Sequence, residues 1–383
     1  MEDISLQFRI DVLDEQQGMI QDSAIAFIKE DEALAKVRAC RFSQPGYDDE
    51  TWHRMAEMGW LGFLIPDEYG GMGLGFGELH TVLIQLGKGL VPAPFSQSAV
   101  LAARVLVQSS AEGIKKKKLP ELVSGVWKPA LAWQEERGCV ESKSTNVVFS
   151  AGKLNGRKIL VPDAGGVDEF IVSAATDTGT ALYLVDCNAD GLSIEYEQRV
   201  DGGFYAQLNF NDVEVSECLA EQKDAQRILD DALDECRVAA SAELLGVMTR
   251  ALEISVAYLS QRIQFDRPIG SFQALQHKTV DLFILSEISR SVVLQTVALF
   301  DSNVDREQRS RAAAQVKARC SDAALRITKD AIQLHGGTGY TDEANIGLYF
   351  KKAMFLSSWL GNAVALRKRY AELTLSSRND INE

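Results

Sequence analysis

Glu243 is a carboxylate in the middle of an apolar helix. From Val238 to Met248 the chain reads Val-Ala-Ala-Ser-Ala-Glu-Leu-Leu-Gly-Val-Met, which is the pattern of a helix buried on every side. Its helical neighbours at three and four positions, Ala239, Ala240, Gly246 and Val247, supply no partner charge. A carboxylate so placed is expected to be desolvated, which suits proton abstraction near neutral pH. The position also suits an ion pair with an arginine of another helix, or a subunit boundary. Asp234 and Glu235 lie nearer the polar start of the helix. The glycine and alanines around Glu243 leave two readings open: room for a bulky substrate, or close packing against another helix.

A second segment, Gln333-Leu-His-Gly-Gly-Thr-Gly-Tyr340, has three glycines in four positions. Such a backbone can turn tightly and approach a ligand closely, although alone it also reads as a plain interhelical loop. The four histidines, His53, His80, His277 and His335, have no close ligand spacing, so metal chemistry is not expected. The six cysteines are scattered without paired spacing, which suggests neither a disulfide framework nor a zinc site and fits a reducing cytoplasm. Cys236 and Cys320 read as small buried hydrophobes.

These residues need a scaffold, and 383 residues, 46% hydrophobic, leave material for more than one core. The formal charge of −14 argues against a nucleic-acid partner. The one basic run, Lys115 to Lys118, reads as a solvated helix end. Acidic residues Glu2, Asp3 and Asp11 are unlike a signal peptide, and no uninterrupted apolar run approaches the ~20 residues of a membrane span. Residues 1–125 read as a helical domain broken at Pro45-Gly46, Pro66 through Gly75, Pro92 and Pro94. Residues 126–222 carry short β-rich runs, Asn146–Phe149, Glu169–Ala174, Ala181–Val185 and Ala206–Phe210, and predict a small barrel or sandwich. Residues 223–383 show helical patterns over Ala225–Phe265, Phe272–Asp301, Asp305–Leu334 and Glu343–Leu375, an antiparallel four-helix bundle. The expected class is α+β.

Three segments together resemble the acyl-CoA dehydrogenase family: Gln261-Arg-Ile-Gln-Phe-Asp-Arg-Pro-Ile-Gly-Ser-Phe-Gln-Ala-Leu-Gln-His277, the Gln333–Tyr340 loop, and Gly59-Trp-Leu-Gly-Phe-Leu-Ile-Pro-Asp-Glu-Tyr-Gly-Gly71. They stand in family order and spacing over essentially the whole chain. The resemblance implies FAD in a cleft between the β domain, the bundle and a neighbouring subunit, in a homo- or heterotetramer. It places Arg262 at the FAD pyrophosphate, Phe265 near the adenosine half, Gln273 in the same segment, and Gln333, Gly336 and Gly337 on a loop bordering FAD from the partner chain. It implies hydride transfer from Cβ to the flavin, loss of the Cα proton to a carboxylate, and a thioester oxygen held by a flavin ribityl hydroxyl and a backbone amide. Electrons would leave to an electron-transfer flavoprotein.

The chain departs from the family where the base should be. The Tyr-Glu-Gly-Thr segment that carries the commonest base is matched by Trp359-Leu360-Gly361-Asn362, which has no carboxylate. The Leu360 backbone amide can still donate to the thioester. The alternative base position, just before the arginine matched by Arg237, is Cys236, and Arg237 is expected at the substrate. Glu243 lies seven residues beyond Cys236, two turns along and on the same face. Its Ala-Ser-Ala-Glu-Leu-Leu-Gly context, Leu90-Val-Pro-Ala-Pro-Phe95 and Val161-Pro162-Asp163 resemble the bacterial branch acting on bulky, sterol-type acyl-CoAs. Gln134-Glu-Glu-Arg-Gly138 replaces the family loop that lines flavin and thioester, and Leu160 replaces a tryptophan near the flavin. Besides a catalytic dehydrogenase using Glu243, two readings stand: a non-catalytic partner subunit, and a flavin oxidase or monooxygenase on the same scaffold.

Overall fold

A computed structural model describes residues 13–28, 30–140, 142 and 146–380; Glu2, Asp3 and Asp11 lie outside these. Six helices come first: α1 (Glu15–Phe27), α2 (Glu30–Cys40), α3 (Asp49–Glu57), α4 (Phe76–Gly89), α5 (Ala103–Gln108) and α6 (Glu112–Val123). Asp14 and Asp48 cap α1 and α3 by accepting from the Gln17 and Thr51 amides. The Pro92–Phe95 region leads into a π-helical turn, Ser96–Ala102, in which Gln97 through Ala102 are buried. Lys115 and Lys118 do not form a solvated end. Lys115 Nζ lies 2.7 Å from Glu112, and Lys118 Nζ lies 2.5 Å from Glu169 of the β domain, because their long stems let the heads fold back onto acids.

Eight strands follow: β1 (Pro129–Ala132), β2 (Val148–Ser150), β3 (Lys153–Pro162), β4 (Glu169–Thr176), β5 (Gly179–Asp186), β6 (Leu192–Gln198), β7 (Phe204–Glu214) and β8 (Glu217–Glu221). They form one mixed sheet in the order β6-β7-β3-β2-β4-β5-β8, with β1 added parallel to β4. Leu154, Val161, Phe170, Val172, Tyr183, Leu208 and Val213 share one core, so the sheet curls around its own interior. Ile171, Leu182 and Leu184 point the other way, into the helical core. Two-sided burial of β4 and β5 is why their runs are continuously apolar rather than alternating.

The last part begins with α7 (Gln222–Gln261), forty residues long and packed along α4 and α9. A two-stranded hairpin, β9 (Ile263–Gln264) with β10 (Arg267–Pro268), leads to α8 (Gln273–Phe300) and α9 (Arg306–His335). The fourth expected helix is broken in two, α10 (Ile346–Ser358) and α11 (Ala363–Asp380). Leu360 and Gly361 between them have φ of 62° and 108°, values that end a right-handed helix. By length and composition α8 could cross a membrane, because Glu287 and Arg290 are its only charges between Asp281 and Asp301. Here it packs on α9 and α7, leaving Val280, Ile284 and Ile288 about half exposed in a stripe one turn apart.

Candidate active site

Glu243 is buried at the junction of three elements. The partner charge that α7 lacks comes from α10: Lys352 Nζ lies 2.8 Å from Glu243 Oε1. The Ser96 hydroxyl of the π-helical turn donates to Glu243 Oε2 at 3.1 Å. Burial alone would lower the Lys352 pKa, but Glu243 and Asp201 outweigh it and hold the ammonium above its ordinary value. The ion-pair reading of Glu243 therefore holds, with a lysine where an arginine was expected. Lys352 shares a face of α10 with Leu348, Tyr349, Phe355 and Leu356, four buried residues. A lysine on that apolar face was a legible signal of a buried partner.

Close packing decides the question of room beside Glu243. A Cβ at Gly246 would sit 2.0 Å from the Ile84 carbonyl oxygen, and one at Gly87 would sit 2.1 Å from the Glu243 carbonyl oxygen. The backbones of α4 and α7 touch here, and only glycine permits it. No space for a substrate lies on that side.

The other acids of this helix are committed. Asp234 pairs with Arg237 at 2.5 Å and Glu235 with Arg104 at 2.6 Å. Cys236 and Glu243 do share a face, because Ser96 meets both: the Cys236 thiol points to the Ser96 carbonyl at 3.4 Å. Burial pushes this thiol well above its ordinary value.

Arg237, expected at the substrate, is fully buried with every nitrogen engaged. Nε donates to the Leu360 carbonyl at 3.0 Å, one terminal nitrogen to Val140 O at 3.2 Å, and the other holds Asp234. It grips the turn instead of facing a cleft. The Leu360 amide makes no hydrogen bond to a backbone carbonyl among the described residues.

A cavity of about 380 Å³ opens under the β domain, lined by Glu135, Glu136, Arg137, Arg157, Leu160 and Tyr205 among others. It lies where the sequence placed the altered flavin loop. Glu135 is itself structural: its carboxylate accepts from the Asn146 and Val147 amides and from the buried Lys158 ammonium at 2.7 Å. Tyr205 packs on Phe355, which stacks on Trp359 at 5.8 Å, so the cavity wall continues to the Leu360 turn.

The remaining predicted residues gather at the opposite end of α7. Tyr258 stacks on His335 at 4.4 Å, one turn before Arg262 on its own helix and one residue before Gly336, so both segments lie towards this end of α7. Arg262 is exposed and has no ion pair among the described residues. Phe265 is 85% exposed at the hairpin tip. Gly336 has φ of 61° and, like Gly337, has nothing within 4 Å of an added Cβ, so both backbones are open to an approaching group. Gln333 is exposed on the last turn of α9, and Gln273 is exposed at the start of α8. Glu243 is nineteen residues from Arg262, about 28 Å along the helix, so one chain does not bring the two groups together.

The three-part architecture, with a buried acid on the long bundle helix and an open cationic hairpin at its far end, defines a class. Residues 14–126 match "Acyl-CoA dehydrogenase, N-terminal domain" and residues 226–373 match "Acyl-CoA dehydrogenase, C-terminal domain". The chain belongs to the acyl-CoA dehydrogenase family; it is an acyl-CoA dehydrogenase oxidoreductase with FAD as cofactor. The acyl-CoA dehydrogenase IpdE2 of Mycolicibacterium smegmatis is 27% identical over 353 residues, 91% of this chain and 96% of that protein. A Tcur3481–Tcur3483 steroid ACAD is 30% identical with a TM-score of 0.85, over 95% of this chain and 99% of its own. A chain from a structure of the electron transferring flavoprotein of Acidaminococcus fermentans is 28% identical with a TM-score of 0.86, over 96% and 100%. The exposed, unpaired Arg262, the open Gly336-Gly337 backbone and the bare Phe265 ring fit FAD: a guanidinium suits paired phosphate oxygens and the ring suits a nucleobase.

Proposed function

We propose that this chain dehydrogenates a bulky, sterol-type acyl-CoA with Glu243 as the α-proton base. The carrying observation is that Glu243 is a buried carboxylate sharing Ser96 with Cys236, the position of an alternative family base, while Asp234 and Glu235 are locked to arginines. Lys352 and Ser96 each hold one oxygen of the carboxylate and fix its orientation, which is what a positioned base requires. The Leu360 amide donates to the thioester oxygen and stabilises the developing enolate. FAD supplies the two-electron acceptor, held through Arg262, Phe265, Gln273, Gln333 and the Gly336-Gly337 backbone. Electrons then leave to an electron-transfer flavoprotein.

The similarity to a steroid ACAD supports the bulky acyl group. The Gly87–Gly246 crossing shuts the α4 side, so such a group would have to use the space towards Leu160 and Tyr205. The separation of Glu243 from Arg262 and the apolar stripe on α8 support assembly with a second copy or a related subunit.

A second reading, the non-catalytic partner subunit, is favoured by one observation: both Glu243 oxygens already have protein partners. Glu243→Gln discriminates. With the base here, flavin and ligand still bind but flavin reduction slows by ~100-fold or more. Reduction at the parental rate would move the base to another subunit.

A further inference from the structure

Lys352 meets more than Glu243. It also lines a cavity of about 40 Å³ where the Leu90–Ala93 segment, the β domain and α10 come together, space for about two or three waters. Arg41, Gly46, Pro92 and Ala93 on the cavity wall are partly exposed, so the cavity opens to solvent. The same wall carries Asp163, Asp201 and Arg199, whose guanidinium lies 2.8 Å from the first carboxylate and 3.0 Å from the second. With Glu243 at 2.8 Å from Lys352, three carboxylates share two cations. The cluster can therefore take up one proton and come to charge balance. Tyr47, also on the wall, is 4% exposed, and its buried hydroxyl has no hydrogen-bond partner among the described residues. A buried hydroxyl beside a cavity of this size calls for an ordered water.

We propose that Lys352 relays the α-proton from Glu243 to the water of this cavity while the acyl group still occupies the cleft. The relay rests on the reading of Glu243 as the base. A bound thioester covers the carboxyl on its own side, and the Gly87–Gly246 crossing shuts the α4 side. The groups left touching the carboxyl are Ser96 and Lys352, and of the two it is Lys352 that lines the cavity. An ammonium N–H bond breaks as its proton passes to a cavity water, and the Glu243 O–H bond breaks as its proton joins the amine. Lysine ends as it began, Glu243 is a carboxylate again, one proton reaches solvent, and no electrons move. The arrival of the α-proton favours this step. Burial would lower the Lys352 pKa, and Glu243 is the first of the groups that raise it. A protonated Glu243 withdraws that support, so the ammonium gives up its own proton more readily. Burial also pushes the Asp163 carboxyl up against the pull of Arg199, which suits it to receive a proton on the way out.

The test uses the FAD-loaded holoprotein, with any subunit it purifies with, and saturating 3-thiaoctanoyl-CoA in D2O. Sulfur in place of Cβ acidifies the α-protons and bars hydride loss, so the bound ligand can only be deprotonated and reprotonated. A long-wavelength absorbance band reports its deprotonation, and mass spectrometry reports the deuterium it carries away per binding event. In the parent most of the ligand leaves with deuterium, because the abstracted proton escapes before the carbon takes one back. Lys352→Arg keeps the countercharge but holds its protons too firmly to pass one on. There the band persists while deuterium uptake falls about tenfold or more, as the same proton returns to the carbon. A purely structural ion pair would leave uptake unchanged. Ala93→Leu fills the cavity mouth without touching the Glu243–Lys352 pair and lowers uptake in the same way; it carries the test by itself if the Arg variant does not fold. Parental uptake in either variant overturns the relay and leaves Glu243 as the base. A parent that shows neither band nor uptake removes Glu243 as the base and the relay with it.

Discussion

Lys352 supplies Glu243 with the countercharge its own helix withholds, at 2.8 Å and with both side chains largely buried. Removing one partner of such a pair strands the other, which costs about 3–5 kcal/mol. Lys352→Met should therefore lower the denaturation midpoint strongly. In the parent, the raised Lys352 pKa means that its stabilisation is complete below about 10.5 and is lost as pH climbs through the folded value. Urea midpoints at pH 7 and above 10.5, compared between parent and variant, check the sign.

The α4–α7 crossing gives a second prediction. Gly246→Ala places a methyl 2.0 Å from a backbone oxygen, so the helices must separate, at a cost of about 3 kcal/mol or more. Gly18→Ala and Gly113→Ala, in α1 and α6 with nothing within 4 Å of the new methyl, should instead stabilise by about 0.5–1 kcal/mol. Calorimetric melting of the three variants separates the two outcomes.

The helix–sheet–helix order and the burial of Glu243 were legible because burial writes itself into periodicity: from Val238 to Met248 α7 stays small or apolar around one acid. What the sequence hid was distance. Lys352 is 109 positions from Glu243 and Ser96 is 147, so no local pattern links them, although Lys352 on the apolar face of α10 signalled some buried acid. The break at Leu360-Gly361 was missed because leucine favours helix and only tertiary contacts from Arg237 and Lys317 hold it in the left-handed region. Space and close packing beside Gly246 both stay open in the sequence, since small residues serve both and the neighbouring backbone decides.

Arg262 should show function without stability. It is exposed and makes no ion pair among the described residues, so Arg262→Ala should leave apoprotein stability within about 0.5 kcal/mol. Loss of a charge-assisted contact to the FAD pyrophosphate should weaken flavin affinity about 10- to 100-fold. Flavin retained on a desalting column, read as the ratio of visible to ultraviolet absorbance, reports the second effect, and melting of the flavin-free protein reports the first.

The last prediction concerns the buried amine of Lys317 and stability alone. Its folded pKa of about 7 lies below the unfolded value of 10.5, so between those pH values the unfolded chain binds more protons. Stability from this group therefore rises with pH, by up to about 1.4 kcal/mol per pH unit. Cys320 works in the opposite sense, since burial lifts its thiol from 9.0 to about 12, but its window opens only above pH 9. The buried Lys158, lowered to about 8, adds a slope of the same sign above pH 8, but it does so in parent and variant alike, so the difference between the two proteins reports Lys317. Lys317→Met, similar in length and uncharged, should be more stable than the parent at pH 7, and the gap should narrow towards pH 9. Urea midpoints for both proteins at pH 7, 8 and 9 measure this, and a constant gap would mean that the amine already carries its proton throughout that range.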